Sequence, residues 1–355
     1  MTPVRLPRNP RVLVVVLRRL GDVLLATPLI RSVKRAFPTS SIEALVFAGT
    51  EGILARNPDL AGVIAMPQRP RVDEQLALLW RLWRRYDLAL SAQTGDRPIA
   101  LAWIAGRQCA APVEPRGIAA AVKRLALTRS YPADRERHRV LDVLGVADVL
   151  GIPALTEVVC PDAEPGTAFA HRRPYAVVHA VPFFTYKRWR AEGWRSLAAA
   201  LRKRGLTIAT TGAAADRAHL DEIWRGCEVE RLDGKLDWSE LSALIRGARV
   251  YIGPDTAVTH LAAATGTPTV SLFGPTDPRI WGPWPVGGLD RPWAAAGTIQ
   301  QRGNVWLVQN PLPCLPCQQE GCDRRLDSHS RCLDQLSVAQ VTSAVDRALA
   351  VQWAA

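Results

Sequence analysis

Twice along this chain, short β-branched apolar runs alternate with helical stretches. The second series starts only after a polar segment at residues 162–174 that is rich in Pro, Gly and Ala. The run at 11–17, RVLVVVL, has almost no polar alternation, so both faces of its strand must be covered, as in a parallel sheet between helices. Further strand-like runs fall at 42–47, 62–66 and 87–91, then at 175–179, 206–211, 249–253 and 268–273. A helical stretch runs from Gly21–Asp22 to about Phe37, and Pro28 within it should kink it. Others cover 73–86, 139–150, 194–204 (closed by Gly205), 214–225, 238–247, a helix opening at Thr256, and 338–351 with Ser337 as N-cap. The pattern predicts two doubly wound α/β domains, residues 1–170 and 171–355, each long enough to bury its own core.

Such sheets bind ligands beyond the carboxyl ends of their strands. Chemistry is therefore expected in the loops after Leu17, His179, Thr211 and Gly253. No G-x-G-x-x-G and no G-x-x-x-x-G-K-[ST] occurs, which argues against a dehydrogenase and a P-loop NTPase. No stretch approaches the ~18 apolar residues of a membrane span. Arg5, Arg8 and Arg11 precede an apolar run, but Arg18 and Arg19 end it too soon for a signal peptide, so a cytosolic protein is expected. With 45 Lys and Arg against 33 Asp and Glu, the net charge is +12. That excess suits a polyanionic partner or a phosphorylated substrate; the Arg-for-Lys bias of a GC-rich genome gives the same figure.

Four loops could carry chemistry. In Arg18-Arg19-Leu20-Gly21-Asp22, Asp22 is either a helix N-cap or a general base kept ionised by the helix N-terminus. In HAVPFFTYKRW (179–189), Thr185 and Lys187 are candidate donor contacts. Lys187 offers a point charge to a departing diphosphate, unless it is only a solvated lysine. Thr211-Gly212-Ala213 would let a phosphate or ribose approach backbone N–H groups, with Asp216 as a ribose contact or a dipole-favoured acid. The fourth loop, GPDTAVTHLAAA (253–264), is the most specific. Asp255 is expected to cap a helix starting at Thr256, and Thr256 and His260 should share one face of it. The competing reading is a tightly packed α/β helix with a satisfied histidine.

Together these loops resemble the bacterial lipopolysaccharide heptosyltransferases, glycosyltransferase family 9. The N-terminal likeness is VLVVVLRRLGDVLLATPLIRSVKRAFP with the IEALV strand and ARNPDL. The C-terminal one is LIRGARVYIGPDTAVTHLAAATGTPTVSLFGPTDPRIWGPWP, and the KRW segment stands between them. The resemblance implies a GT-B fold, two Rossmann-like domains facing a cleft. It implies inverting transfer from ADP-heptose to a hydroxyl of the lipopolysaccharide inner core, with no metal or cofactor required. Asp22 matches the family's base and Lys187, two before Trp189, its phosphate-contacting lysine. Asp255, Thr256, Ala257 and His260 match its D-[ST]-[GA]-x-x-H motif, and Trp238 the position beside the adenine. The LRRLGD loop, Ala257 and the GPWP ending are most similar to heptosyltransferase III. The acceptor, a lipid A-core glycolipid, would place the protein on the anionic cytoplasmic surface of the inner membrane. Arg18 and Arg19 would contact the acceptor, with Arg81, Arg84 and Arg85 also on that side.

Cys314, Cys317, Cys322 and Cys332 lie in a polar segment, 314–332, at spacings that suit a structural zinc site; plain reduced thiols are the alternative. Three rival functions remain. One is a GT-B transferase using another nucleotide sugar, and another is a GT-B sugar-nucleotide epimerase. The third is a basic zinc-containing nucleic-acid-binding protein, which would leave both βαβ series unexplained and lacks any RNA-binding motif.

Overall fold

The computed structural model describes residues 3–163 and 174–351. The chain forms two compact units, Met1–Pro161 and Asp162–Ala355. The expected limit between 170 and 171, and most of the expected linker, lie outside the described residues.

The first unit holds β1 (Arg11–Val16), β2 (Ser41–Phe47), β3 (Gly62–Met66), β4 (Tyr86–Ser91), β5 (Gly106–Val113) and β6 (Arg129–Pro132). They form one parallel sheet in the order β3-β2-β1-β4-β5-β6. Val14 of β1 lies between Ala44 and Leu90, and Val12–Val16 are fully buried, as an unbroken apolar run requires. The order reverses between β1 and β4.

The second unit holds β7 (Tyr175–His179), β8 (Thr207–Thr211), β9 (Glu230–Arg231), β10 (Val250–Pro254), β11 (Thr269–Leu272), β12 (Ile299–Arg302) and β13 (Val305–Val308). Their order is β12-β13-β11-β10-β7-β8-β9, and β12 alone runs antiparallel to its neighbour. Here the order reverses between β7 and β10. Trp194 sits at the centre of this core, with Trp189 edge-on at 5.1 Å and Trp224 beyond it. Two Rossmann-like α/β units in tandem are the GT-B architecture.

Several local expectations are corrected. Pro28 does not kink one long helix. It separates Leu20–Leu24 from Thr27–Ala36, standing in the first turn of the latter, where a missing N–H costs nothing. The helix expected over 73–86 is Val72–Leu82, because Arg84 turns into the left-handed region (φ 46°) and Tyr86 already belongs to β4. The helix expected from Thr256 begins at Ala257. Helices Asp96–Ala105 and Ile118–Ala126, with β5, β6 and the β12–β13 hairpin, were not expected from the sequence. Their runs are short, Ala-rich or interrupted by charge, and periodicity resolves such runs poorly. The final helix, Val338–Ala350, carries the expected Ser337 cap. Among the described residues no helix is long and apolar enough to cross a membrane.

Candidate active site

In both units the crevice beyond the reversal of strand order is where an open α/β sheet receives ligands. The residues singled out from the sequence gather at these two places.

In the first unit, β1 ends at Val16 and the helix Leu20–Leu24 follows. The cap reading of Asp22 is overturned. Arg19 holds the N-cap position and makes no side-chain cap bond, while Asp22 lies inside the first turn. Its side chain is buried, and its Oδ1 lies 3.4 Å from Arg139 Nε and 3.7 Å from Arg18 Nη1. Neither approach has hydrogen-bond geometry, and Oδ1 has no hydrogen-bond partner among the described residues. A buried carboxylate oxygen left this way costs free energy, so its persistence points to a use outside folding. Arg18 and Arg19 are both exposed at the mouth of this loop.

Arg139 opens the helix Arg139–Leu150 and was not legible as a site residue. Its guanidinium donates to Asp142 Oδ2 at 2.8 Å and to the Ala92 carbonyl at 2.6 Å. Ala92 follows β4, and Gln93 Nε2 donates to the Leu17 carbonyl at 3.1 Å, so the ends of β1 and β4 are tied together. One buried guanidinium thus faces two carboxylates. Burial pushes the Asp142 carboxyl above its ordinary value, against the pull of Arg139 and the Asp134 N–H.

In the second unit, β7 runs into a one-turn 3-10 helix, Thr185–Lys187, which places Thr185 and Lys187 beyond the sheet's carboxyl edge. The segment is anchored from behind. Trp189 is buried and donates Nε1–H to the Leu336 carbonyl at 2.9 Å, and Ser330 Oγ donates to the Tyr186 carbonyl at 2.7 Å. Lys187 Nζ reaches Asp255 Oδ2, at the end of β10, at 2.5 Å. Asp255 is therefore no helix cap, as the sequence suggested, but the lysine's counter-ion. Burial pushes its carboxyl up. The nearby Lys187 and His260, with hydrogen bonds from Lys187 and Thr276, outweigh that and hold it below the usual carboxylate range. His260 Nε2 lies 3.9 Å from Asp255 Oδ1.

The cap is Thr256, whose Oγ1 accepts from the Thr259 N–H at 3.3 Å and so fixes the start of the helix Ala257–Ala264. The His260 N–H bonds back to the Thr256 carbonyl at 3.2 Å, so the two residues do share a face. Ala257 is the first helical residue.

At the end of β8, Thr211 Oγ1 lies 3.1 Å from His179 Nδ1. His179, which the sequence did not flag, is buried, and burial lowers its pKa to about 4 despite Asp216 nearby. Gly212 follows. A Cβ there would meet Leu220 Cδ1 at 2.7 Å, so any larger residue would require the Leu220 side chain on the helix Arg217–Ile223 to shift. Asp216 is occupied accepting the Ala213 N–H at 3.0 Å. Trp238, half-buried, is the first residue of the helix Trp238–Arg246, which Asp237 caps. Since that helix leads into β10 of a parallel sheet, Trp238 lies at the same carboxyl edge.

The four late cysteines do not form the expected ligand set. Among the described residues, no group of three or more His, Cys, Asp or Glu side chains is placed to hold a metal ion. Cys314 and Cys322 are exposed while Cys332 is buried. Burial, with the neighbouring Cys317, Cys322 and Cys314, pushes the Cys332 thiol up to about 12.

A family profile described as glycosyltransferase family 9 (heptosyltransferase) matches residues 76–288. The chain is 28% identical to lipopolysaccharide heptosyltransferase 3 of Escherichia coli over 284 residues, which is 74% of this chain and 83% of that protein. It is also 28% identical to lipopolysaccharide heptosyltransferase 1 of Pseudomonas aeruginosa over 351 residues, 93% and 92% of the two chains. Among solved structures, E. coli ADP-heptose LPS heptosyltransferase II superposes with a TM-score of 0.73 at 18% identity, covering 96% of this chain and 98% of that one. E. coli heptosyltransferase WaaC with ADP gives 0.72 at 21% identity, covering 95% and 99%.

Proposed function

Because the chain belongs to glycosyltransferase family 9, the heptosyltransferases, we propose that it transfers heptose from ADP-heptose to a hydroxyl of the lipopolysaccharide inner core, inverting the anomeric carbon and using no metal. The observation that carries this reading is the Lys187–Asp255 pair, set where the strand order of the second sheet reverses and beside the helix that Thr256 caps. A diphosphate arriving there meets an ammonium and the positive end of a helix dipole. Lys187 can turn from Asp255 to the phosphate oxygens as the glycosidic bond breaks, and His260 stays close to the vacated carboxylate. The neutral Thr211–His179 pair and the close backbone at Gly212 suit a ribose or phosphate, and Trp238 suits an adenine face. In solved relatives described by their own names, E. coli WaaC is seen with ADP and with ADP-2-deoxy-2-fluoro heptose.

Asp22 serves as general base. The acceptor hydroxyl becomes acidic only late, as the sugar carbon gains positive charge, so a carboxylate is a sufficient base. Attack from the face opposite the departing ADP inverts the configuration. Arg139 touches neither reactant in this scheme; it holds Asp22 in place. Arg18 and Arg19 contact the acceptor, a phosphorylated lipid A-core glycolipid at an anionic membrane surface.

The test is a calorimetric titration of ADP-heptose, ADP and UDP into the protein in the presence of a chelator. Selective binding of the adenine ligands that is lost in Lys187→Ala supports the reading. A preference for UDP, or a requirement for metal, would replace the donor assignment with another nucleotide sugar.

A further inference from the structure

Lys187 is carried by a single 3-10 turn, Thr185–Lys187. The turn is closed by the Lys187 N–H bonding to the Phe184 carbonyl at 3.1 Å and the Arg188 N–H to the Thr185 carbonyl at 2.9 Å. So short a turn has little stability of its own, and its place is set by what it is tied to. The ties come from one distant stretch of chain. Ser330 Oγ donates to the Tyr186 carbonyl at 2.7 Å, Trp189 Nε1 to the Leu336 carbonyl at 2.9 Å, and Arg190 Nη1 to the Asp334 carbonyl at 2.8 Å. Ser330 holds the middle residue of the turn, at a carbonyl that the turn's two closing bonds leave over.

The same stretch supports the other half of the ion pair. The Gln318 N–H donates to the Pro275 carbonyl at 2.8 Å, and Gly274 lies against Leu333, whose Cδ1 would stand 2.7 Å from a Cβ at that glycine. Gly274 and Pro275 belong to the loop after β11, and Thr276 of that loop hydrogen-bonds the Asp255 carboxylate. Because β11, β10 and β7 are parallel neighbours, the loops carrying Thr276, Asp255 and Lys187 lie side by side at the carboxyl edge. Residues 318–336 reach the two outer loops of these three. The stretch is itself well fixed. The Ser330 carbonyl accepts the Leu333 and Asp334 N–H groups at 2.9 and 3.0 Å and so opens the helix Arg331–Asp334, while Leu333 and Leu336 are buried in the core of the unit. Upstream, the Cys322 N–H donates to the His329 carbonyl at 2.9 Å, and Cys322 Sγ accepts the Arg331 N–H at 3.4 Å.

We propose that residues 318–336 brace the donor site and that Ser330 is a positioning residue, whose hydroxyl sets the reach of Lys187 to the donor diphosphate. The inference rests on the reading of Lys187 as a diphosphate contact. A lysine that exchanges Asp255 for a phosphate needs both partners in register. Thr276 holds Asp255, and Ser330 holds the turn below Lys187, so one stretch of chain sets both ends of the exchange. Ser330 is 2% exposed, so water cannot replace its hydroxyl at the Tyr186 carbonyl without the turn shifting. A displacement of about 1 Å in a supporting group is enough to spoil such a contact.

ADP is titrated calorimetrically into the full chain as wild type, Ser330→Ala, Arg190→Met and Lys187→Met, and into Ser330→Ala and Arg190→Met each combined with Lys187→Met, with melting midpoints alongside. Ser330→Ala should weaken ADP about 3- to 10-fold, the worth of one buried hydrogen bond. Its midpoint should stay within about 4 °C of the wild type. Arg190→Met, at an exposed site, breaks a second tie to the same stretch; it should weaken ADP in the same direction, and it carries the test if Ser330→Ala does not fold. In the Lys187→Met background either change should alter ADP affinity by less than about 2-fold, because each acts through the lysine. Unchanged ADP affinity in both single variants overturns the proposal. So does a loss that persists in full without Lys187, which would make these ties general supports of the unit. Lys187→Met that binds ADP as tightly as the wild type overturns the phosphate role and this inference with it, and it is told apart because it involves no change at Ser330 or Arg190.

Discussion

Replacing Lys187 by Met tests both roles of the Lys187–Asp255 pair. At 2.5 Å and an effective dielectric constant near 20, the two charges attract by about 7 kcal/mol, which several kcal/mol of desolvation per ion largely offsets. Removing only the lysine leaves Asp255 as an uncompensated charge, 6% exposed, beside His260; breaking a buried pair this way costs about 3–5 kcal/mol. For a unit of this size the thermal midpoint should fall by roughly 10 °C. The pH dependence has a definite sign. Lys187 holds the Asp255 carboxyl below its ordinary value, so the pair's stabilisation is present above the usual carboxylate range and is lost as pH falls through the folded value. In Lys187→Met that contribution is absent, and protonation of the unpaired buried carboxylate should instead recover part of the lost stability as pH falls. ADP affinity should fall by about ten-fold or more, the worth of one charge-assisted contact. The double variant Lys187→Met/Asp255→Leu, which removes both charges, should recover most of the midpoint but none of the ADP affinity. Melting curves across pH and titration calorimetry on the three proteins check this. Unchanged ADP affinity in Lys187→Met refutes the phosphate role. A double variant as unstable as the single refutes the buried-pair argument.

Other outcomes follow from single contacts. Asp22→Asn should lower turnover by about 10²–10⁴-fold while ADP affinity and melting stay near wild type, because only the proton acceptor is lost; steady-state kinetics with ADP titration would expose a folding role instead. Gly212→Ala puts a methyl 2.7 Å from Leu220 Cδ1, so stability should fall by about 1–3 kcal/mol and ADP should bind more weakly as the loop shifts; an unchanged denaturation midpoint would mean that Leu220 simply moves aside. His179 is held neutral by burial, with its pKa lowered to about 4, so its contribution is complete above the unfolded value near 6.5 and is lost as pH falls from there to about 4. In His179→Asn the slope of stability against pH should flatten across that window, and denaturant unfolding at several pH values measures it.

Much of this site could be read from the sequence because strand ends advertise it. Asp22, Lys187, Thr211 and Asp255 each follow an apolar run, and in a parallel sheet that position alone brings each to the carboxyl edge of its own sheet. What the sequence could not give is pairing across the reversal of strand order. Asp255 has the residue type and position of a helix cap, and only the 3-10 turn carrying Lys187, pinned by Trp189 behind it, makes it a counter-ion. Arg139 lies 117 residues beyond Asp22 in a charged stretch, RERHR, with nothing local to mark it, and its role depends wholly on tertiary placement. The cysteine spacing allows a ligand set, but spacing fixes neither burial nor geometry: Cys332 is buried while Cys314 and Cys322 are exposed, and no metal-holding group forms among the described residues.

The two halves also solve the same electrostatic problem differently. In the first unit one buried guanidinium is shared by Asp22 and Asp142, with the exposed Arg18 also 3.7 Å from Asp22, and Asp22 keeps an oxygen without a hydrogen bond. In the second, one buried carboxylate is matched by one ammonium, with a histidine beside it. A carboxylate oxygen without a hydrogen bond suits a group that must accept a proton there. A lysine matched by one carboxylate suits a group that must exchange that partner for a phosphate, because the exchange leaves the number of close charge pairs unchanged. On this account Arg139 acts on Asp22 by position, so Arg139→Lys, which keeps the charge but loses the planar fork to Ala92 and Asp142, should still lower turnover while leaving ADP affinity as it was.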